Sequence, residues 1–260
     1  MTRLDDAHAI MMQDDSNDAA RLAFYSQLAD AELFLLLDTE ADEGQVTPRL
    51  FDLEEGPVVL AFDLEERLTK FVGGPADYAA LPGRVIAAQL AGQGVGLGLN
   101  IGDAPSSIIL PSDVMDWLTA TLGTKPVQTA ATPQGFSPPW NVPATVTQRL
   151  MEKLSAAQGL ADAVLLAEVI YEGGRRGHIL AVLGASGGAE AALSGAVSEA
   201  LVFSGIEMAE MDVVFLAADD PRTKTMADVA LRLDLPKPPA PIATAPTVPG
   251  MNPEKPPILR

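Results

Sequence analysis

The run Gly184-Ala185-Ser186-Gly187-Gly188 holds a serine in G-x-S-x-G spacing. Between a strand and a helix, that spacing lifts a hydroxyl above a sheet, where a base can take its proton. The base is missing. The chain has two histidines, and neither follows the serine in sequence. His178 lies eight residues upstream on the same predicted strand, about 25 Å away at about 3.3 Å per residue. His8 stands in a polar N-terminal stretch. A small-residue turn is therefore expected at Ser186. Glu190 in the following helical turn already serves the helix dipole that a bound anion would use.

Three other constellations invite a chemical reading. Gly94, Gly96 and Gly98 have the start of a dinucleotide loop, but Leu99 or Ile101 replaces its third glycine, and the glycines fall inside a strand. Asp38-Thr-Glu40-Ala-Asp42-Glu-Gly44 has the look of a calcium loop. Its glycine comes one place late, and Arg49 stands where the bidentate glutamate belongs. Asp52, Glu54, Glu55, Asp63, Glu65 and Glu66 fit turns and first helical turns. A hydrolase using such acidic residues is the alternative reading, although nothing in the sequence sets two of them in one pocket. No catalytic residue, metal ligand or cofactor is expected.

The elements that would position these residues read as follows. Residues 1–17 are expected to be flexible. A helix starts near Asp18, with Asp18 as its cap, and Leu33–Asp38 is a buried strand. Val46–Leu53 alternates and contains Pro48, which marks an edge strand. Pro57–Leu64 is the central strand, and Asp63 caps a short helix after it. A longer helix opens at Asp77, or at Leu81–Pro82. The glycine-spaced strand 94–99 leaves one face bare for a close neighbour, a helix backbone or a ligand. A turn, a short strand and a helix capped by Ser112 complete a first domain, 18–123. Residues 124–142 form a Pro-rich linker. A second domain, 143–235, has the order αββαβα, its last helix over Lys224–Leu235. Residues 236–260 are a Pro-rich tail. The fold class is α+β: two domains, each a mixed or antiparallel sheet backed by helices.

Composition narrows the function classes. The chain has 260 residues, no cysteine and a formal charge of −18. Disulfides and thiolate chemistry are excluded. Nucleic acid and anionic membrane surfaces are not expected partners, since both call for a basic footprint. The charge is uneven: residues 1–122 carry six Lys/Arg against 21 Asp/Glu, a net −15. That asymmetry suits solubility, or an acidic face for a basic partner. The first twenty residues lack the basic start and apolar run of a signal peptide, and no apolar run spans a bilayer. A cytoplasmic protein is expected.

The runs Pro57–Phe71, Leu81–Leu90 with Tyr78 before it, and Gly94–Leu118 resemble the SseB family, named from an enhanced serine sensitivity. The resemblance covers roughly residues 18–122. Asn100-Ile101-Gly102 keeps the Asn and Gly of the family's Asn-Pro-Gly turn and loses the proline. The second half resembles the C-terminal domain that often follows. The resemblance implies no catalytic residues. The expected function is a non-enzymatic interaction or regulatory role, with a protein as partner or a small ligand. Asn100, Gly102 and Trp140 are the candidate contact residues. Asn100 and Gly102 fit a turn without any ligand, and Trp140, in Pro-Pro-Trp-Asn-Val-Pro, is expected to tuck between the domains.

Overall fold

Two mixed sheets organise the computed structural model, which describes residues 1–14, 16–39, 46–123, 132–204, 211–217 and 219–236. The first contains β1 (Glu32–Leu36), β2 (Leu50–Leu53), β3 (Gly56–Phe62), β4 (Tyr78–Pro82), β5 (Gly96–Leu99) and β6 (Ile108–Leu110). β3 is central, as its apolar run predicts. β1 and β2 lie antiparallel along one of its edges, and β5 runs parallel along the other. β4 lies outside β1, and β6 outside β5.

Alternation decides the two faces of this sheet. Leu33, Leu35, Val59, Ala61, Leu97 and Leu99 face α1 (Arg3–Met11), α2 (Asp18–Asp30), α4 (Gly83–Leu90) and α5 (Ser112–Leu122). Phe34, Leu36, Val58, Leu60 and Phe62 face the other way, where α3 (Glu65–Val72) supplies Leu68. One side thus carries four helices and the other a single short one.

The second sheet contains β7 (Pro133–Ser137), β8 (Ala163–Tyr171), β9 (Arg176–Leu183), β10 (Met211–Leu216) and β11 (Leu231–Asp234). β8 and β9 form an antiparallel hairpin that turns at Gly173 and Gly174, both at positive φ. β10 runs parallel to β9 after the crossover helix α7 (Glu190–Val202). α6 (Ala144–Ser155) packs beside α7 over one face, burying Val146, Leu150, Leu154, Leu193 and Val197. α8 (Pro221–Ala227) lies on the opposite face through Met226. The α+β class holds.

Several local expectations need correction. The first seventeen residues contain a helix, α1, whose Leu4, His8 and Met11 are buried. The stretch from Asp77 begins as strand β4, and the helix starts only at Gly83: Tyr78, Ala80 and Pro82 alternate toward one side, so pairing with β1 wins over helix propensity. The close neighbours of Gly96 and Gly98 are not the expected helix backbone. A Cβ on Gly96 would stand 2.5 Å from the Leu110 carbonyl oxygen, and one on Gly98 would stand 2.5 Å from Leu60 Cδ2. The close neighbours are an adjacent strand end and a leucine leaning over the bare backbone. Part of the expected linker is strand β7, paired with the edge of β8. The expected final helix divides into α8 and β11, which pairs with β8. Asn17, not Asp18, caps α2, and neither Asp63 nor Ser112 caps its helix. The calcium-like loop and the tail beyond Pro236 lie mostly outside the described residues.

Candidate functional site

Asn100 closes β5 in the left-handed region, at φ 51°, and is 1% exposed. Its N–H donates to the Ala61 carbonyl at 2.9 Å, continuing the pairing of β5 with β3. Its side-chain oxygen accepts the Asp63 N–H at 3.0 Å, and its amide donates to Ser106 Oγ at 2.8 Å. Asn is suited to this position because it tolerates αL and bonds nearby backbone groups. Gly102 follows at φ 131°, with no atom within 4 Å of where a Cβ would stand. Backbone conformation, and not crowding, makes glycine suitable there.

Asn100 belongs to a polar network that sequence reading did not anticipate. Ser106 Oγ donates to Asp5 Oδ1 at 2.6 Å. Arg67 on α3 donates to both oxygens of Asp5, at 2.9 and 2.6 Å, and to Asp63 Oδ1 at 2.8 Å. Thr2 donates its hydroxyl to Asp63 Oδ2 and its N–H to Asp5 Oδ2. Asp5 is fully buried. Burial pushes its carboxyl up, but the Arg67 fork, the Ser106 hydroxyl and the Thr2 amide outweigh burial and hold it well below the ordinary carboxylate range. Arg67 is held above its usual value, chiefly by its hydrogen bond to Asp5. One signal could have found this anchor. Thr2-Arg-Leu-Asp5 has capping-box spacing, and both reciprocal bonds of the box are present.

The network is occupied by its own members. It joins α1, α3 and the β5–β6 turn, and it aims no free nucleophile or base at solvent. Ser186 is exposed and donates to the Leu160 carbonyl at 3.3 Å. His178 Nε2 lies 2.9 Å from the Trp140 carbonyl oxygen, which ties that imidazole to the Trp140 backbone. Among the described residues, no group of three or more His, Asp or Glu side chains could hold a metal ion, and no helix is long and apolar enough to cross a membrane.

Residues 4–116 match the family model described as SseB protein N-terminal domain. This part of the chain is an SseB N-terminal domain. The SseB match begins inside α1, so it takes in the Asp5 anchor. Comparison with curated proteins and with solved structures finds no match.

Both sides of the SseB domain carry an exposed aromatic side chain: Trp117 on α5 is 39% exposed, and two more lie on the α3 side of the sheet. Phe71 on α3 is 39% exposed and Tyr78 on β4 is 40% exposed. Phe71 packs against Phe62 and Phe51, with ring centroids 5.5 and 6.5 Å apart, and Tyr78 packs edge-on to Phe34 at 5.3 Å. At the head of α3 lies a depression of about 520 Å³, whose lining includes Leu4, Ala31, Phe34, Leu64, Glu32 and Glu66, and Tyr78 adjoins it through Phe34. Trp140, in the second half of the chain, is 71% exposed. The expected tucking is overturned: the strand pairing of β7 carries the chain along the outer edge of β8 just before Trp140. Of the three candidates, Asn100 and Gly102 share one turn, while Trp140 lies on the other sheet's side of the chain.

Proposed function

We propose that this chain is a protein-binding module that works through the α3 side of its SseB domain, without chemical turnover. The observation that carries the reading is the unequal covering of the sheet. Four helices bury one face, whereas the other has α3 alone, with Phe71 and Tyr78 presenting aromatic surface to solvent. Partly exposed aromatic side chains on a rigid sheet are suited to anchoring a partner, since they offer large contact area at small cost in side-chain entropy. A cytoplasmic setting belongs to the same proposal.

Capture from native lysate tests the reading. A partner identified by mass spectrometry should be retained by the wild type and by Trp140→Ala, and lost by Phe71→Ala combined with Tyr78→Ala. The melt of the double variant should still show a folded protein. Equal retention by all three proteins would reject the α3 side as the working surface.

A further inference from the structure

The depression at the head of α3 has an acidic lining. Five carboxylates line it, on Asp30, Glu32, Asp63, Glu65 and Glu66, against the single cation of Arg3. Asp30 is held by Arg84 and Lys153, Asp63 by Arg67 and Thr2, and Glu65 accepts the Tyr78 phenol. Among the described residues, Glu32 and Glu66 have no ion pair. Among the described residues of 1–122, Arg3 is the cation left without an ion pair, and it stands in this lining. Of the six Lys and Arg in residues 1–122, Arg21, Arg49, Arg67, Lys70 and Arg84 are each already paired with a carboxylate. The floor between the acids is apolar, built from Leu4, Ala31, Phe34 and Leu64, and Phe34 continues it to Tyr78.

We infer that this surface docks an arginine-bearing basic polypeptide segment, an inference that rests on the interaction reading above. An arginine entering the depression lays its aliphatic stem on Leu64 and Phe34 and turns its guanidinium to the free carboxylates of Glu32 and Glu66. A neighbouring cation of the same segment stacks on the exposed ring of Tyr78, and Phe71 offers a further ring at the other end of α3. Arginine suits the site better than lysine because a planar guanidinium both forks onto carboxylates and stacks on aromatic faces. The volume falls within the usual range for recessed binding sites, about 300–1,000 Å³.

Fluorescence anisotropy with a labelled nona-arginine peptide tests this on the full chain, with nona-lysine and a neutral glycine-serine peptide of equal length as comparisons. The expected order is arginine, then lysine, with the neutral peptide not binding. Glu32→Gln combined with Glu66→Gln should weaken nona-arginine by about tenfold, which is about 1.4 kcal/mol. Glu190→Gln combined with Asp228→Asn removes the same charge from the second half of the chain and should leave binding unchanged. Equal weakening by both pairs would mean diffuse attraction to an acidic protein and would overturn the site. Absence of nona-arginine binding would overturn the basic partner. The broader interaction reading fails separately, if the Phe71 and Tyr78 variant keeps its lysate partner.

Discussion

Asn100 carries a left-handed backbone and two cross-chain hydrogen bonds at once, and the two roles can be separated by substitution. Asn100→Ala should lose both and cost on the order of 1–3 kcal/mol from the unsatisfied Asp63 N–H and Ser106 hydroxyl alone. Asn100→Gly keeps the backbone freedom and loses only the side chain, so it should melt above the alanine variant. Thermal melts of the two variants check this, at about 2–4 °C per kcal/mol for a chain of this size; equal melts would mean that the turn conformation contributes nothing. Asp5 makes a second prediction at this scale. Its folded pKa lies below its unfolded value of about 3.9, so its contribution to stability is complete above that value. That contribution is lost as pH falls below about 4 toward the depressed folded value. Asp5→Asn should therefore be less stable than wild type at pH 7, with the difference shrinking as the pH is lowered below 4 in urea titrations. A pH-independent difference would show that the Asp5 charge is not what matters.

Helix α1 departs most from its sequence reading. Its polar composition suggests a loose terminus, yet Leu4 and Met11 enter the first core, and His8 packs edge-on to Phe24 at 5.7 Å. Removing residues 2–12 would expose that core and strand Arg67 without Asp5. Breaking a buried ion pair from one side costs about 3–5 kcal/mol. The shortened chain should unfold at markedly lower denaturant concentration, as followed by circular dichroism. An unchanged midpoint would return α1 to the status of a loose end. β7 departs in the same way. Its pairing with β8 predicts slow amide exchange at Phe136, within a stretch whose composition reads as linker.

The two sheets share more than a connection. Phe203, at the end of α7, is fully buried in the first core cluster and meets Trp117 edge-on at 6.3 Å. Beside it, Arg84 forks onto Glu199 at 3.0 and 3.1 Å, and Lys153 bridges Glu199 and Asp30 at 3.0 and 2.6 Å. Burial pushes the Glu199 carboxyl up, but Arg84 and Lys153 prevail and lower it. Phe203→Ala should cost about 3–5 kcal/mol and destabilise both halves together. A single cooperative transition at a lower temperature is expected in calorimetry. A first-half transition left at its original temperature would show that the halves are energetically independent.

Much of this architecture was legible in the chain itself. Pro57–Leu64 reads as a central strand because a short apolar run between turns has one economical place in a sheet, and the turn at Asn100 and Gly102 reads from residues that tolerate positive φ. The SseB resemblance was legible in local runs for the same reason: each strand and turn carries its own propensity. The tertiary structure decided what depends on distant partners. Asp5, Arg67 and Ser106 are separated by 62 and 39 residues in the chain, and only the convergence of α1, α3 and the β5–β6 turn makes three polar surface-like residues into one network. β4 and β7 become strands because the free edges of β1 and β8 offer hydrogen bonds that local sequence cannot announce. The exposure of Trp140 likewise follows from the edge position of β7, which no count of prolines around the indole reveals.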